Sequence, residues 1–292
     1  MNTSPAENNH SGLSVVMATL GGLWIEKTIH SLVNGSMVPN EILLCIPKEH
    51  AHKVAHLADQ RVKIIATDVK GQVKQRAVGF SKAGFELVLQ LDDDILLEKD
   101  TISRLTQYIG QLGKGNVIAP VYYGQHTNKC IHEMKTGFAA LSKNLFDSIF
   151  CAAPWGIKKM GVVTAVGINY GVDDLYCHSE LMKTQWLPGG CVLSFREDLV
   201  LNDFFPFPGK AYCEDVIHAY FRTAADKTSW VATGVRVYID EPKPDLNREA
   251  VKKIIKIRRY YLQLTDTSQW RLFLYESFCR IRSKLHHLKE TK

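Results

Sequence analysis

Two acidic clusters are the residues best placed to do chemistry. Asp92, Asp93 and Asp94 follow the apolar run 87–91, and Glu214-Asp215 opens a segment of helical period. Three adjacent carboxylates repel one another, and in a partly dry cleft the repulsion costs several kcal/mol unless a cation or protons relieve it. A divalent ion is one remedy. Oxygen ligands select hard cations such as Mg²⁺ or Mn²⁺, which take one or two carboxylates and leave other positions to water and phosphate oxygens. The competing reading is a solvated loop whose acids favour the N-terminus of the following helix, and it applies equally to Glu214 and Asp215. Residue types alone leave both open.

The elements that would position these groups follow from hydrophobic periodicity. Apolar runs rich in β-branched residues at 13–18, 41–46, 62–66 and 86–91 alternate with helical segments at 23–33 (closed by Gly35), at Val73, Ala77, Phe80 and Ala83, and at 101–112 (capped by Asp100). That alternation predicts an α/β fold with a mostly parallel central sheet covered by helices. It sets the Asp92–Asp94 triplet at the carboxyl end of the fourth strand, where open α/β sheets place their ligands. The stretch 113–187 is less regular, and strands with long loops are expected there. Strand character returns at 191–195 and 230–239, with a helix at 214–225 between them.

Composition narrows the class. The chain is 46% hydrophobic and 23% charged, as for a globular protein with one large core. It has no run of about 18 apolar residues, and its first twelve residues are polar and lack the apolar core of a secretory signal, so a cytosolic location is expected. Seven scattered cysteines without metal or redox spacing read as reduced thiols. Residues 248–292 carry twelve Lys and Arg against four acids, a net charge of +8, which leaves the remainder slightly acidic within a total of +6. This distribution argues against a nucleic-acid-binding body and for a tail that meets something anionic.

The segment Gly71-Gln72-Val73-Lys74-Gln75-Arg76-Ala77-Val78-Gly79-Phe80-Ser81-Lys82-Ala83-Gly84, followed by Leu87-Val88-Leu89-Gln90-Leu91-Asp92-Asp93-Asp94, resembles the family 2 glycosyltransferases of GT-A fold. A second match lies in Trp186-Leu187-Pro188-Gly189-Gly190-Cys191, then Phe195-Arg196, then Glu214-Asp215. The resemblance covers about Ser14 to Asp240. It implies a Rossmann-like three-layer α/β/α domain over 13–245, with a nucleotide-sugar-binding half (13–112) and an acceptor-binding half (113–245). A disordered N-terminus (1–12) and a basic amphipathic helical tail (246–292) flank it.

Carried over by position, the resemblance implies that Asp92 and Asp94 hold Mn²⁺ or Mg²⁺ against the donor diphosphate. Thr19, Asp68, Arg76, Asp92 and Asp93 would bind the nucleotide sugar. Gly189, Gly190 and Glu214 would meet the acceptor, and Asp215 would be the base that removes the acceptor proton during an inverting displacement. The implied partners are a nucleotide-diphosphate sugar and a glycan or lipid-linked acceptor, in bacterial surface polysaccharide synthesis, with no nucleic acid. Two departures from the family pattern matter. Cys45-Ile46-Pro47 replaces an Asp pair common at the end of the second strand. Asp240-Glu241 stands where many members place a metal-binding His.

The tail has two apolar stripes at helical spacing: Val251, Ile254, Ile255 and Leu262, then Trp270, Phe273, Leu274, Phe278, Ile281, Leu285 and Leu288. Such basic amphipathic segments lie on anionic membranes, or they dock on the protein's own body or a partner subunit. Two rival functions remain open in the sequence. One is a sugar-phosphate nucleotidyltransferase, although Thr19-Leu20-Gly21-Gly22-Leu23-Trp24 lacks the basic pair of such loops. The other is a catalytically inactive, membrane-peripheral assembly subunit with the GT-A fold.

Overall fold

The computed structural model describes residues 10–57, 60–241 and 248–279. Strand β1 (His10–Ala18) leads through helix α1 (Ile25–Val33) to β2 (Glu41–Pro47) and β3 (Val62–Thr67). Helix α2 (Gln72–Lys82), strands β4 (Phe85–Leu91) and β5 (Ile95–Leu97), and helix α3 (Thr101–Leu112) complete the first half. Strand β6 (Asn116–Gly124), helix α4 (Gly137–Cys151), β7 (Leu181–Thr184), β8 (Cys191–Phe195), α5 (Glu214–Ala224), β9 (Thr228–Ile239) and α6 (Arg248–Leu264) follow. A further helical run occupies 270–279.

Among the described residues, the strands form one sheet in the order β3-β2-β1-β4-β8-β6-β9-β5, with β7 paired to β9. Strands β3, β2, β1 and β4 run parallel, while β8 is antiparallel to both β4 and β6. Alternate residues of each strand face opposite layers. Leu13, Val15 and Met17 pack with Ile25, Ile29 and Leu32 of α1 and with Leu105 and Ile109 of α3. Val16, Leu43, Cys45 and Val88 meet Phe80 of α2 on the other face. The architecture is therefore the expected helix–sheet–helix sandwich. Helix α2 approaches the sheet very closely: a side chain at Gly79 would overlap Val16 Cγ1 and Cys45 Sγ.

Several expectations are revised. Strand β1 opens at His10, three residues early, because it pairs with Phe85 there. Helix α1 ends on Asn34 rather than at Gly35, and Asp100 stands at the start of α3 without any side-chain cap bond. The stretch 113–187 holds the fifteen-residue helix α4, not only strands and loops. Of the first tail stripe only Leu262 is fully buried, against Cys151 and Val166; Val251 is exposed, and α6 docks on the body through Ile257, outside that stripe, against Phe204, Phe205 and Ile217. The second is divided, with Trp270 and Phe273 more than half exposed while Phe278 packs on Phe146 and Phe150 of α4. Ile281, Leu285 and Leu288 lie outside the described residues. All seven cysteines are free.

Candidate active site

Register brings the distant acidic clusters together. The antiparallel pair Leu91↔Cys191 between β4 and β8 sets Asp92 beside Gly190, and the Asp92 N–H donates to Gly190 O at 2.7 Å. The neighbouring Gly189 N–H donates to Asp215 Oδ1 at 2.9 Å, at the N-terminus of α5. A side chain at Gly189 would overlap Asp215 Oδ1, and one at Gly190 would lie 3.2 Å from Asp92 Oδ2. The glycine pair is thus the floor between the two carboxylate clusters, and its missing side chains are the space those carboxylates use.

Arg76, 3% exposed on α2, ties the clusters directly. Its Nη2 donates to Asp92 Oδ1 at 2.6 Å and its Nη1 to Glu214 Oε1. Burial alone would lower the guanidinium's pKa, but Glu214 and Asp92 outweigh that and raise it above the usual value. Arg76 therefore lies beneath the cleft with its charge already spent on two carboxylates. Gln72, one turn earlier, donates from Nε2 to the same Asp92 oxygen at 2.9 Å. Buried Gln75 joins the ends of β1 and β2 by donating to Thr19 O and Cys45 O at 2.9 and 2.7 Å. Gln90, facing inward from β4, donates to Gly189 O.

The triplet divides its labour. Asp93 turns back into the loop after β1, where Thr19 Oγ1 donates to its Oδ2 and Thr28 Oγ1 to its carbonyl at 3.0 Å. Burial raises its pKa, against the lowering effect of Thr19. Asp94 is exposed, and among the described residues no ion pair engages it. Partial desolvation, then the charges of Asp92, Asp93 and Asp240, push its carboxyl up to about 6. Asp240 reaches this point because Ile95 pairs with Ile239 in the antiparallel β5–β9 ladder, so Asp94 and Asp240 are the next residues across. His126 Nε2 stands 3.4 Å from Asp240 Oδ1, and Glu241 accepts from the Thr127 N–H at 2.8 Å. The ligand atoms of His126, Asp240 and Glu241 all lie within 4.8 Å of one another.

Asp215 has the opposite environment. Burial, then Glu214, push its carboxyl up to about 8 even though Arg76 pulls it down. Asp68 lies apart at the carboxyl end of the edge strand β3, ion-paired with Lys48 at 2.6 Å, with β2 and β1 between it and β4. Thr19, Arg76, Asp92, Asp93, Gly189, Gly190, Glu214 and Asp215 thus form one connected network, with Asp94 at its open edge. Gln72, Gln75, Gln90 and His126 are members that the sequence reading did not single out. Gln72 had a readable signal, four residues before Arg76 on the same helix surface; Gln75, adjacent to Arg76, points elsewhere, toward the ends of β1 and β2. Gln90 was visible as a lone amide in an apolar strand.

The family model described as glycosyl transferase family 2 matches residues 14–157, which run from within β1 through β6 and α4 and include the Asp92–Asp94 loop. No curated protein matches the chain. Among solved structures, one of GalNAc-T7 with UDP, GalNAc and Mn²⁺ is similar at TM-score 0.59 and 15% identity, covering 87% of this chain and 48% of that one. S. aureus TarS 1-349 is similar at TM-score 0.50 and 17% identity (86% and 65% covered), and its complex with UDP-GlcNAc at 0.51 and 15% (86% and 66%). The chain spans about half to two thirds of the length of these proteins, and at such identities the likeness is one of fold. With the family match, the sheet order and the placement of the acidic loop in agreement, the matched segment 14–157 belongs to glycosyl transferase family 2 and the chain has the GT-A fold.

Proposed function

We infer that this glycosyltransferase moves a sugar from a nucleotide-diphosphate donor to a hydroxyl of a glycan or lipid-linked acceptor, with inversion at the anomeric carbon, in bacterial surface polysaccharide synthesis. One juxtaposition carries the reading: Gly189-Gly190 and Arg76 hold Asp215 beside the Asp92–Asp94 loop. A carboxylate pushed up to about 8 is suited to accept a proton from an attacking hydroxyl. A single displacement needs one such base on the acceptor side. Glu214, fixed by Arg76, orients the start of α5, and the glycine pair lets the acceptor approach the backbone.

The crowding of like charge around Asp94 fits a divalent cation. Asp94, Asp92 and Asp240, with His126, offer the oxygen and imidazole ligands that Mn²⁺ or Mg²⁺ accepts. When bound, the ion supplies positive charge against the departing diphosphate. Thr19 and Asp93 fix the loop that faces the donor, and Asp68 at the end of β3 is the candidate contact to the nucleoside. UDP in the GalNAc-T7 structure and UDP-GlcNAc in that of TarS make uridine donors the first to try.

The test is a screen of UDP-, GDP-, dTDP- and CMP-sugars with Mn²⁺ or with chelator, followed by NMR of the product linkage. The expected result is one Mn²⁺-dependent donor and a product of opposite anomeric configuration. A retained configuration would exclude the single displacement, and no response to any donor would remove the transferase reading.

A further inference from the structure

We propose that the outer faces of α4 and of the 270–279 helix together form a docking surface for an anionic lipid bilayer. Four large apolar side chains line one stripe of α4: Phe138 is 87% exposed, and Leu141, Leu145 and Ile149 are each more than half exposed. Their spacing of three, four and four residues stacks them along a single surface of the helix. Trp155 and Ile157 extend the exposed apolar surface beyond the end of α4, and Trp270, Phe273 and Leu274 add to it from the tail. Contiguous apolar surface of this kind marks an interaction site.

The stripe is held by a built support. On its inner side α4 presents Phe146 and Phe150, whose rings stand 4.8 and 5.1 Å from that of Phe278. Tyr275 lies 5.9 Å from Phe146, and Arg271 Nη1 donates to Ile149 O at 3.0 Å. Buried Cys151, Val166, Leu262 and Leu272 form the small core beneath. The two helices are therefore fixed side by side while their outer apolar residues remain in water.

Charge selects the occupant. Residues 134–160 contain four lysines against the single acid Asp147, which is buried and already paired with Lys143 and Lys159. Lys135 and Lys158 are exposed, and residues 248–292 carry net charge +8. A second copy would bring the same positive face, and segment 280–292, with five basic residues and one acid, would bring the same sign. Neither neutralises the surface. A bilayer with anionic headgroups does so, accepts a row of protruding side chains without a matching groove, and lets lysine stems lie along it with their ammonium groups at phosphate level. The surface does not depend on the transfer reaction.

The test is flotation of the full chain with vesicles of phosphatidylcholine plus phosphatidylglycerol, against vesicles of phosphatidylcholine alone. Binding is expected only on the anionic vesicles, weakening with salt. The pair Phe138→Asp and Leu145→Asp should lower it about a hundredfold, with melting temperature and nucleotide-diphosphate binding unchanged. Lys135→Glu with Lys158→Glu should lower it about tenfold or more. Absence of flotation, equal binding to neutral vesicles, or unchanged binding in the aspartate pair would overturn the proposal. Self-association, or capture of soluble polyglutamate, abolished by the aspartate pair in a chain that ignores vesicles would also overturn it.

Discussion

The two acidic clusters of the cleft share desolvation as the first cause of raised proton affinity and differ in the charges that surround it. At Asp94 partial desolvation comes first, and every charge that adds to it is another carboxylate, Asp92, Asp93 and Asp240, so a cation relieves the strain. At Asp215 burial dominates, and Arg76 and the Gly189 N–H only partly offset it, so a proton relieves the strain. Similar side chains are thereby prepared for different partners, one for a metal and one for a hydroxyl proton. The device that keeps them apart yet adjacent is Arg76, which satisfies the inner oxygens of both clusters and leaves Asp94 and Asp215 unneutralised.

Removing the proton-accepting side alone should have the largest effect. Asp215→Asn is expected to lower kcat by about three orders of magnitude while donor affinity stays within about twofold, in steady-state kinetics and calorimetry; near-native turnover would remove Asp215 from the mechanism. Cutting the link comes next. Arg76→Ala strands Glu214 in the interior and should cost about 3 kcal/mol of stability in urea unfolding, the low end for a broken buried pair because Asp92 reaches solvent. Gly189→Ala pushes Asp215 off its backbone donor and should lower kcat about a hundredfold with a smaller change in KM.

The smallest effect is one of pH. The base works deprotonated, so with its carboxyl pushed up to about 8 the metal-free rising limb of log(kcat/KM) for any residual activity should bend at about that pH and level off above it. Asp92 contributes to the upward shift, so saturating Mn²⁺ should move the limb to lower pH. A limb that ignores Mn²⁺ would mean the clusters do not sense one another.

The donor half was legible because its signals are local. Apolar runs gave β1 to β4, and the acids at the end of β4 needed only strand direction to be placed. The meeting of Asp92 with Glu214 was legible only through family resemblance, since the register Leu91↔Cys191 joins residues a hundred positions apart and no local pattern encodes it. His126 was hidden for the same reason: it comes to Asp240 through the parallel β6–β9 ladder, inside a stretch that read as irregular. Helix α4 was missed because its apolar residues lie on both sides, one set against Phe278 and the other facing solvent, which blurs the single-stripe pattern of a surface helix. In the tail, periodicity identified two apolar stripes but could not say that Leu262 of the first and Phe278 of the second would meet the body while Val251, Trp270 and Phe273 stayed exposed.

The most direct measurement is a thermal-shift titration of UDP-sugar with and without Mn²⁺ on three chains: wild type, Asp94→Asn and Asp215→Asn. The division of labour predicts Mn²⁺-dependent donor stabilisation in wild type and Asp215→Asn, and its loss in Asp94→Asn. Equal stabilisation of Asp94→Asn, or its loss in Asp215→Asn, would contradict it.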